Sequence, residues 1–133
     1  MLTVLGGLVL SALLAFGATA QQSEIEDTIN QQFEAFKADD FDQAFSYATP
    51  NLQKLFQSPE NFQRMVTKGY PMVTRPAEVR YLENKQIGAT FLQKVQITDA
   101  KGFTHILLYQ MELTEAGWRI GGVRILGAGG ATA

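Results

Sequence analysis

Five side chains in this sequence have the types and places to move protons: Tyr70, Tyr81, Glu83, His105 and Tyr109. His105 and Tyr109 lie four residues apart in an alternating stretch, so on a strand they share a face with roughly 13 Å between their Cβ atoms. That is too far for a hydrogen-bonded dyad, but it suits opposite walls of one pocket. Tyr81 and Glu83 share a face of an earlier strand. Proton transfer at a carbon beside a carbonyl needs a carboxylate base and a phenol or acid donor converging on one oxygen. The donors are here. The inward carboxylate is Glu83 alone, near a strand end, because Glu112 has the opposite parity and Asp99 belongs to a turn.

Each candidate also has a plain structural reading. His105 opens its strand just after a hairpin, where a partly exposed imidazole needs no catalytic role. Tyr109 and Trp118 read as core aromatics with a polar tip toward a rim. Tyr70 stands between Gly69 and Pro71 on a connection, from which it can overhang a pocket mouth or pack over a helix end. Arg75 and Arg80 can hold an anion or pair with acidic helices. Asp39, Asp40 and Asp42 sit where one helix ends and the next begins, which makes them caps before it makes them metal ligands. The ligand-binding candidates are therefore Tyr70, Tyr81, His105 and Tyr109, with no catalytic residue, metal ligand or cofactor assigned.

Composition excludes several classes. There is no Cys, hence no disulfide, thiolate nucleophile or lipoprotein anchor, and a single His excludes a His-rich metal site. A net charge of −2 gives no general attraction to nucleic acid or to an anionic membrane. Residues 21–60 carry eight acids against Lys37 and Lys54, whereas residues 61–133 carry nine bases against five acids. Two halves that pack on each other account for this, and a basic sheet face that binds an anion is the alternative. Gly121-Gly122 and the glycines after Leu126 lack the strand–loop–helix setting of a phosphate cradle.

The elements that must position these residues divide at Phe62–Pro76. Ser23-x-x-Glu26 predicts a capping box, and Ile25, Ile29, Phe33 and Phe36 predict an amphipathic helix over 24–38. Asp40, Thr49-Pro50 and Ser58-Pro59 each open a further short helix, the last ending at Gly69 as a left-handed cap. Pro71 and Pro76 favour extended backbone after it. Strands follow over 78–84, 89–98, 104–113 and 118–126, joined by short turns as an antiparallel meander. Residues 127–133 have nothing to bury and are expected to be disordered. The fold class is α+β, with N-terminal helices packed on one face of a curved, four-stranded antiparallel sheet, a cone-like arrangement. Ile106 and Leu108 face away from the helices, which suggests a homodimer through the sheet face.

Met1–Ala20 carries no charge, holds an apolar run over Val4–Phe16 and closes on Ala18-Thr19-Ala20. This reads as a signal peptide cleaved after Ala20, although no Lys or Arg precedes the apolar run; an uncleaved anchor is the alternative. The expected location is periplasmic or secreted, with no stable membrane insertion after cleavage.

Phe62-x-x-Met65-Val66-x-x-Gly69-Tyr70-Pro71-x-Val73-x-Arg75-Pro76, with Thr98-Asp99-Ala100-x-Gly102 and Gly117-Trp118-Arg119-Ile120, resembles the bacterial domain-of-unknown-function family 4864. The similarity covers about Glu24 to Leu126, and Gly-Tyr-Pro is its most specific part. The resemblance implies a small exported α+β domain similar to the cone of nuclear transport factor two and ketosteroid isomerase. It implies no activity and transfers no site residue. The sequence is best read as a single exported domain over 21–126, a non-catalytic module for a small apolar ligand or a protein partner. The alternative is an acid–base isomerase or dehydratase using Tyr109 or Tyr81 with His105 or Glu83.

Overall fold

The computed structural model describes the backbone of residues 5–129 and the side chains of residues 20–127. Helix α1 runs from Leu5 to Lys37 without a break. Ser23, expected as an N-cap, therefore lies inside the helix. No Pro interrupts the preceding Leu- and Ala-rich run, so the N–H groups near Ser23 find carbonyls one turn back. From Ile25 onward α1 is amphipathic: Ile25, Ile29, Gln32, Phe33 and Phe36 are buried. Burying each of the apolar four contributes about 1.5–3 kcal/mol.

The end of α1 is a Schellman-type closure without glycine. Asp40 N–H donates to the Ala35 carbonyl at 2.9 Å and Asp39 N–H to that of Phe36 at 3.0 Å, while Asp39 takes a left-handed φ of 56°. Arg75 reaches back from beyond the helical half. Its guanidinium donates to the Phe36 carbonyl at 2.9 Å and meets Asp39 Oδ1 at 3.0 Å. Of the two sequence readings of Arg75, the structure has the pairing with the acidic helices.

Three short helices follow: α2 Phe41–Ser46, α3 Pro50–Phe56 and α4 Pro59–Gly69. Each starts on the cap the sequence names. Asp40, Thr49 and Ser58 accept from the N–H groups of Gln43, Leu52 and Asn61 at 3.1–3.2 Å. Such a cap is typically worth ~1 kcal/mol. At the other end of α4 the expectation fails in detail. Gly69 stays helical, and Tyr70 N–H donates to the Val66 carbonyl at 2.8 Å. Pro71–Val73 then forms a single 3-10 turn rather than extended chain. Pro71 opens that turn, where its fixed φ fits and its missing N–H costs nothing.

Strands β1 Glu78–Ile87, β2 Thr90–Thr98, β3 Thr104–Thr114 and β4 Gly117–Gly129 form an open antiparallel sheet in the order β1-β2-β3-β4. Each hairpin turns on a left-handed glycine, Gly88, Gly102 or Gly117. β1 continues three residues past the expected end, because Lys85–Ile87 pair with Thr90–Leu92 across the tight turn at Gly88. β4 continues to Gly129, paired with Thr104, so 127–129 are strand where disorder was expected. The rest of the expected tail, residues 130–133, lies outside the described residues.

The register slips at three places. Leu82 and Glu83 together face the single residue Lys94 between the pairs Tyr81–Val95 and Asn84–Gln93. On β4, Gly121 and Leu126 are extra residues with no partner opposite on β3. Such bulges bend and twist a strand. Gln93, wholly buried, repairs the first of them: its Nε2 donates to the Leu82 carbonyl at 3.0 Å and to its neighbour Lys94 at 2.9 Å.

The helices cover the face that carries Phe91, Gln93, Val95 and Ile97 of β2, Leu107, Tyr109 and Met111 of β3, and Trp118 and Ile120 of β4, all buried. Trp118 packs edge-on against Phe91 at 6.1 Å between ring centres. A ladder of rings, Phe41–Phe36–Phe62–Phe56, crosses the helical layer at 5.6–6.1 Å. Between α2 and α3, residues 47–49 lie along the outer edge of β4. Ile120 N–H donates to the Tyr47 carbonyl at 2.8 Å, and Thr49 N–H donates to the Ile120 carbonyl at 2.9 Å. On the uncovered face Leu92, Ile106 and Leu108 are half-buried.

Candidate functional site

The bent sheet and the helices do not meet everywhere. They leave a cavity of about 300 Å³ between α1, α3, α4 and the last two strands. Its floor is buried: Phe36, Phe62, Val66, Tyr109 and Ile120. Leu52, Phe56, Met65, Tyr70 and Val123 also line it but are only half-buried, so the cavity opens to solvent between α3, α4 and β4. The volume sits at the small end of ligand pockets.

Tyr109 reaches this space from β3. It is 1% exposed, and Phe33 packs edge-on against its ring at 6.3 Å. Burial pushes its phenol far above the ordinary value, with the nearby phenols of Tyr81 and Tyr70 adding to the shift. The group is therefore a neutral O–H at any ordinary pH. Among the described residues no group forms a hydrogen bond with the Tyr109 hydroxyl. The side-chain polar atom sealed without a partner among the described residues is Gln93 Oε1, not this hydroxyl, so the Tyr109 oxygen is still within reach of a small molecule or water.

Gln32 enters from α1 at 5% exposure. Its Nε2 donates to the Ala44 carbonyl at 3.1 Å, which fixes the amide where it lines the cavity. Tyr70 closes the rim. Its hydroxyl donates to the Val123 carbonyl at 2.9 Å, so the ring bridges the end of α4 and the free edge of β4. Among the described residues no charged side chain lines the cavity.

Of the four sequence candidates, the structure brings Tyr70 and Tyr109 into one lining and leaves Tyr81 and His105 outside it. The Tyr81 hydroxyl donates to Asn30 Oδ1 at 2.7 Å and lies 3.3 Å from the Glu26 carbonyl, which ties β1 to α1. Burial first, then the charges of Glu26 and Asp27, raise the Tyr81 phenol strongly. His105 is held at the far end of β3, with Nε2 2.9 Å from Asp99 Oδ2. Asp99 also accepts from the N–H groups of Lys101 and Phe103 at 2.9 and 3.0 Å, so the imidazole completes a turn. Glu83 pairs with Lys94 at 3.6 Å on the uncovered face, where the bulge has put it. Among the described residues, no three acidic or imidazole groups are placed to hold a metal ion.

Gln32, Leu52, Phe56, Met65 and Val123 were not expected to form the site. Gln32 gave a signal: it stands three residues after Ile29 and four before Phe36, on an otherwise apolar helix face. The others read as ordinary core positions. Only the bend of the sheet separates a filled core from a cavity.

The sequence pattern of a domain family described as "Domain of unknown function (DUF4864)" matches residues 18–133. One matching solved structure is an NTF-2 like protein of unknown function from Burkholderia xenovorans LB400. It is 15% identical with a TM-score of 0.47, over 79% of this chain and 84% of that one. No curated protein matches this chain.

Proposed function

We propose that this chain, which belongs to the domain-of-unknown-function family 4864, is a non-catalytic module that binds a small apolar ligand in the cavity over Tyr109. One observation carries the reading. Tyr109, 1% exposed and with no hydrogen-bond partner for its hydroxyl among the described residues, lines a space of about 300 Å³ whose other lining is apolar apart from Gln32 and Tyr70. A cavity of that kind gains from an apolar occupant that also supplies the missing hydrogen bond.

Acid–base catalysis by Tyr109 or Tyr81 with His105 or Glu83 has less behind it. A general base has to reach the proton it removes, within hydrogen-bond distance or through one water. His105 is engaged by Asp99 and Glu83 by Lys94, and neither lines the cavity. Export belongs to the same proposal. It rests on the apolar run Val4–Phe16 and the small residues Ala18-Thr19-Ala20.

Native mass spectrometry of the protein isolated from the cell that makes it tests both parts. The expected result is a mass starting at Gln21 plus a small adduct released on gentle activation. Val123→Trp, which fills the rim, is expected to abolish the adduct. A ligand-free chain that also ignores an apolar fluorescent probe would sink the binding reading, and a mass that includes Met1–Ala20 would sink cleavage after Ala20 and leave the uncleaved anchor.

A further inference from the structure

The same site narrows the chemical class of its ligand, and this step rests on the binding reading above. We propose that the ligand is uncharged and carries one oxygen function, a carbonyl or hydroxyl, that accepts a hydrogen bond from Tyr109.

The lining first excludes charge. A carboxylate or phosphate in this space would give up its water with no cationic side chain among the described lining residues to replace it. A cationic ligand would be as poorly placed, because no carboxylate lines the space either. The polar groups then set the pattern. Tyr70 has already given its proton to the Val123 carbonyl, and the Gln32 amide donates to the Ala44 carbonyl. The Tyr109 hydroxyl and the second Nε2 hydrogen of Gln32 are the donors left to the lining, and burial keeps the phenol protonated. Their complement is an acceptor without charge.

Size follows from volume. At the packing density of molecular interiors, a space of about 300 Å³ has room for roughly fifteen non-hydrogen atoms. Two fused rings with a short substituent fit; a long acyl chain does not fit without leaving the mouth.

Three probes of one shape test the class: 2-acetylnaphthalene, 2-ethylnaphthalene and 2-naphthoate. Each is titrated into the isotope-labelled protein, and amide shifts at Gln32, Tyr109 and Val123 report where it binds. The ketone is expected to bind about tenfold more tightly than the ethyl compound, the effect of one well-made hydrogen bond. The carboxylate is expected to be the weakest of the three. In Tyr109→Phe the ketone falls to the level of the ethyl compound, which itself is unchanged. Tightest binding by 2-naphthoate, or equal binding of ketone and hydrocarbon to the unmodified protein, overturns the class and leaves the cavity reading standing. No shift at these residues with any probe overturns both. The comparison on the unmodified protein decides the matter even if the variant does not fold.

Discussion

The hydroxyl of Tyr70 donates to the backbone carbonyl of Val123 at 2.9 Å, joining the end of α4 to the edge of β4 across the mouth of the cavity. Tyr70→Phe keeps the ring and removes this bond. We expect a loss of about 1 kcal/mol of stability, the usual net worth of such a bond. Denaturant titration should show a lower midpoint at unchanged slope. Ligand dissociation should also be faster, since the strap lies over the exit.

Tyr109→Phe should behave in the opposite way. The wild-type hydroxyl has no partner among the described residues and belongs to a residue 1% exposed, so the ligand-free fold gains little from it and bears part of its desolvation cost. Without ligand the variant is expected to be more stable by up to about 1 kcal/mol. Thermal unfolding of ligand-free protein checks this. A marked loss of stability would show that the hydroxyl has a partner, such as a buried water, that holds it.

Acid should loosen the β2–β3 turn. The hydrogen bond from His105, aided by the N–H groups of Phe103 and Lys101, holds the Asp99 carboxyl below its ordinary value of 3.8. A folded-state value below the unfolded one means that the unfolded chain binds the proton more readily. The stabilisation is thus complete above about pH 5 and is lost as pH falls through the folded-state value. Asp99→Asn keeps the Oδ1 acceptor but removes the titration. Its unfolding temperature should fall less steeply than wild type between pH 5 and pH 2. Parallel curves would remove Asp99 as a source of acid sensitivity.

Arg75→Ala removes the guanidinium from the end of α1. The ion pair with Asp39 is half-exposed and worth little, so most of the expected loss of about 1 kcal/mol comes from the bond to the Phe36 carbonyl. High salt should therefore change the difference between variant and wild type only slightly. A difference that vanishes in salt would assign the effect to the ion pair instead.

Much of the fold was written in local signals. Asp40, Thr49 and Ser58 announce three helix starts because capping chemistry needs only three residues of context. The meander follows from alternation and short turns. The boundaries of α1 and β4 were not legible, since a helix can extend through an unbroken apolar run and a glycine-rich end can still pair with a neighbour. Tyr70 and Tyr109 were visible as candidates from their types and flanks. Their meeting in one cavity was not, because it depends on how far β4 bends. His105 and Tyr81 stand apart from this cavity by distance rather than by chemistry: both face the helical side, but His105 is held by Asp99 and Tyr81 by Asn30.

The extra residue at Gly121 has a bearing on how this chain can vary. Up to Ile120 the even positions of β4 face the helices; after the bulge the odd ones do, which brings Val123 to the rim and sends Arg124 outward. A methyl added at Gly121 would press on the Glu112 carboxylate, the far end of a flexible side chain that can move aside. Substitution here is therefore mild. Deleting Gly121 would instead let Gly122 follow Ile120 directly in an unbroken ladder, which keeps Val123 opposite Tyr109 and Arg124 outward but removes the bend. Relatives that share this pocket should keep one extra residue between Trp118 and Val123, whatever its type, because the bend of the strand depends on it.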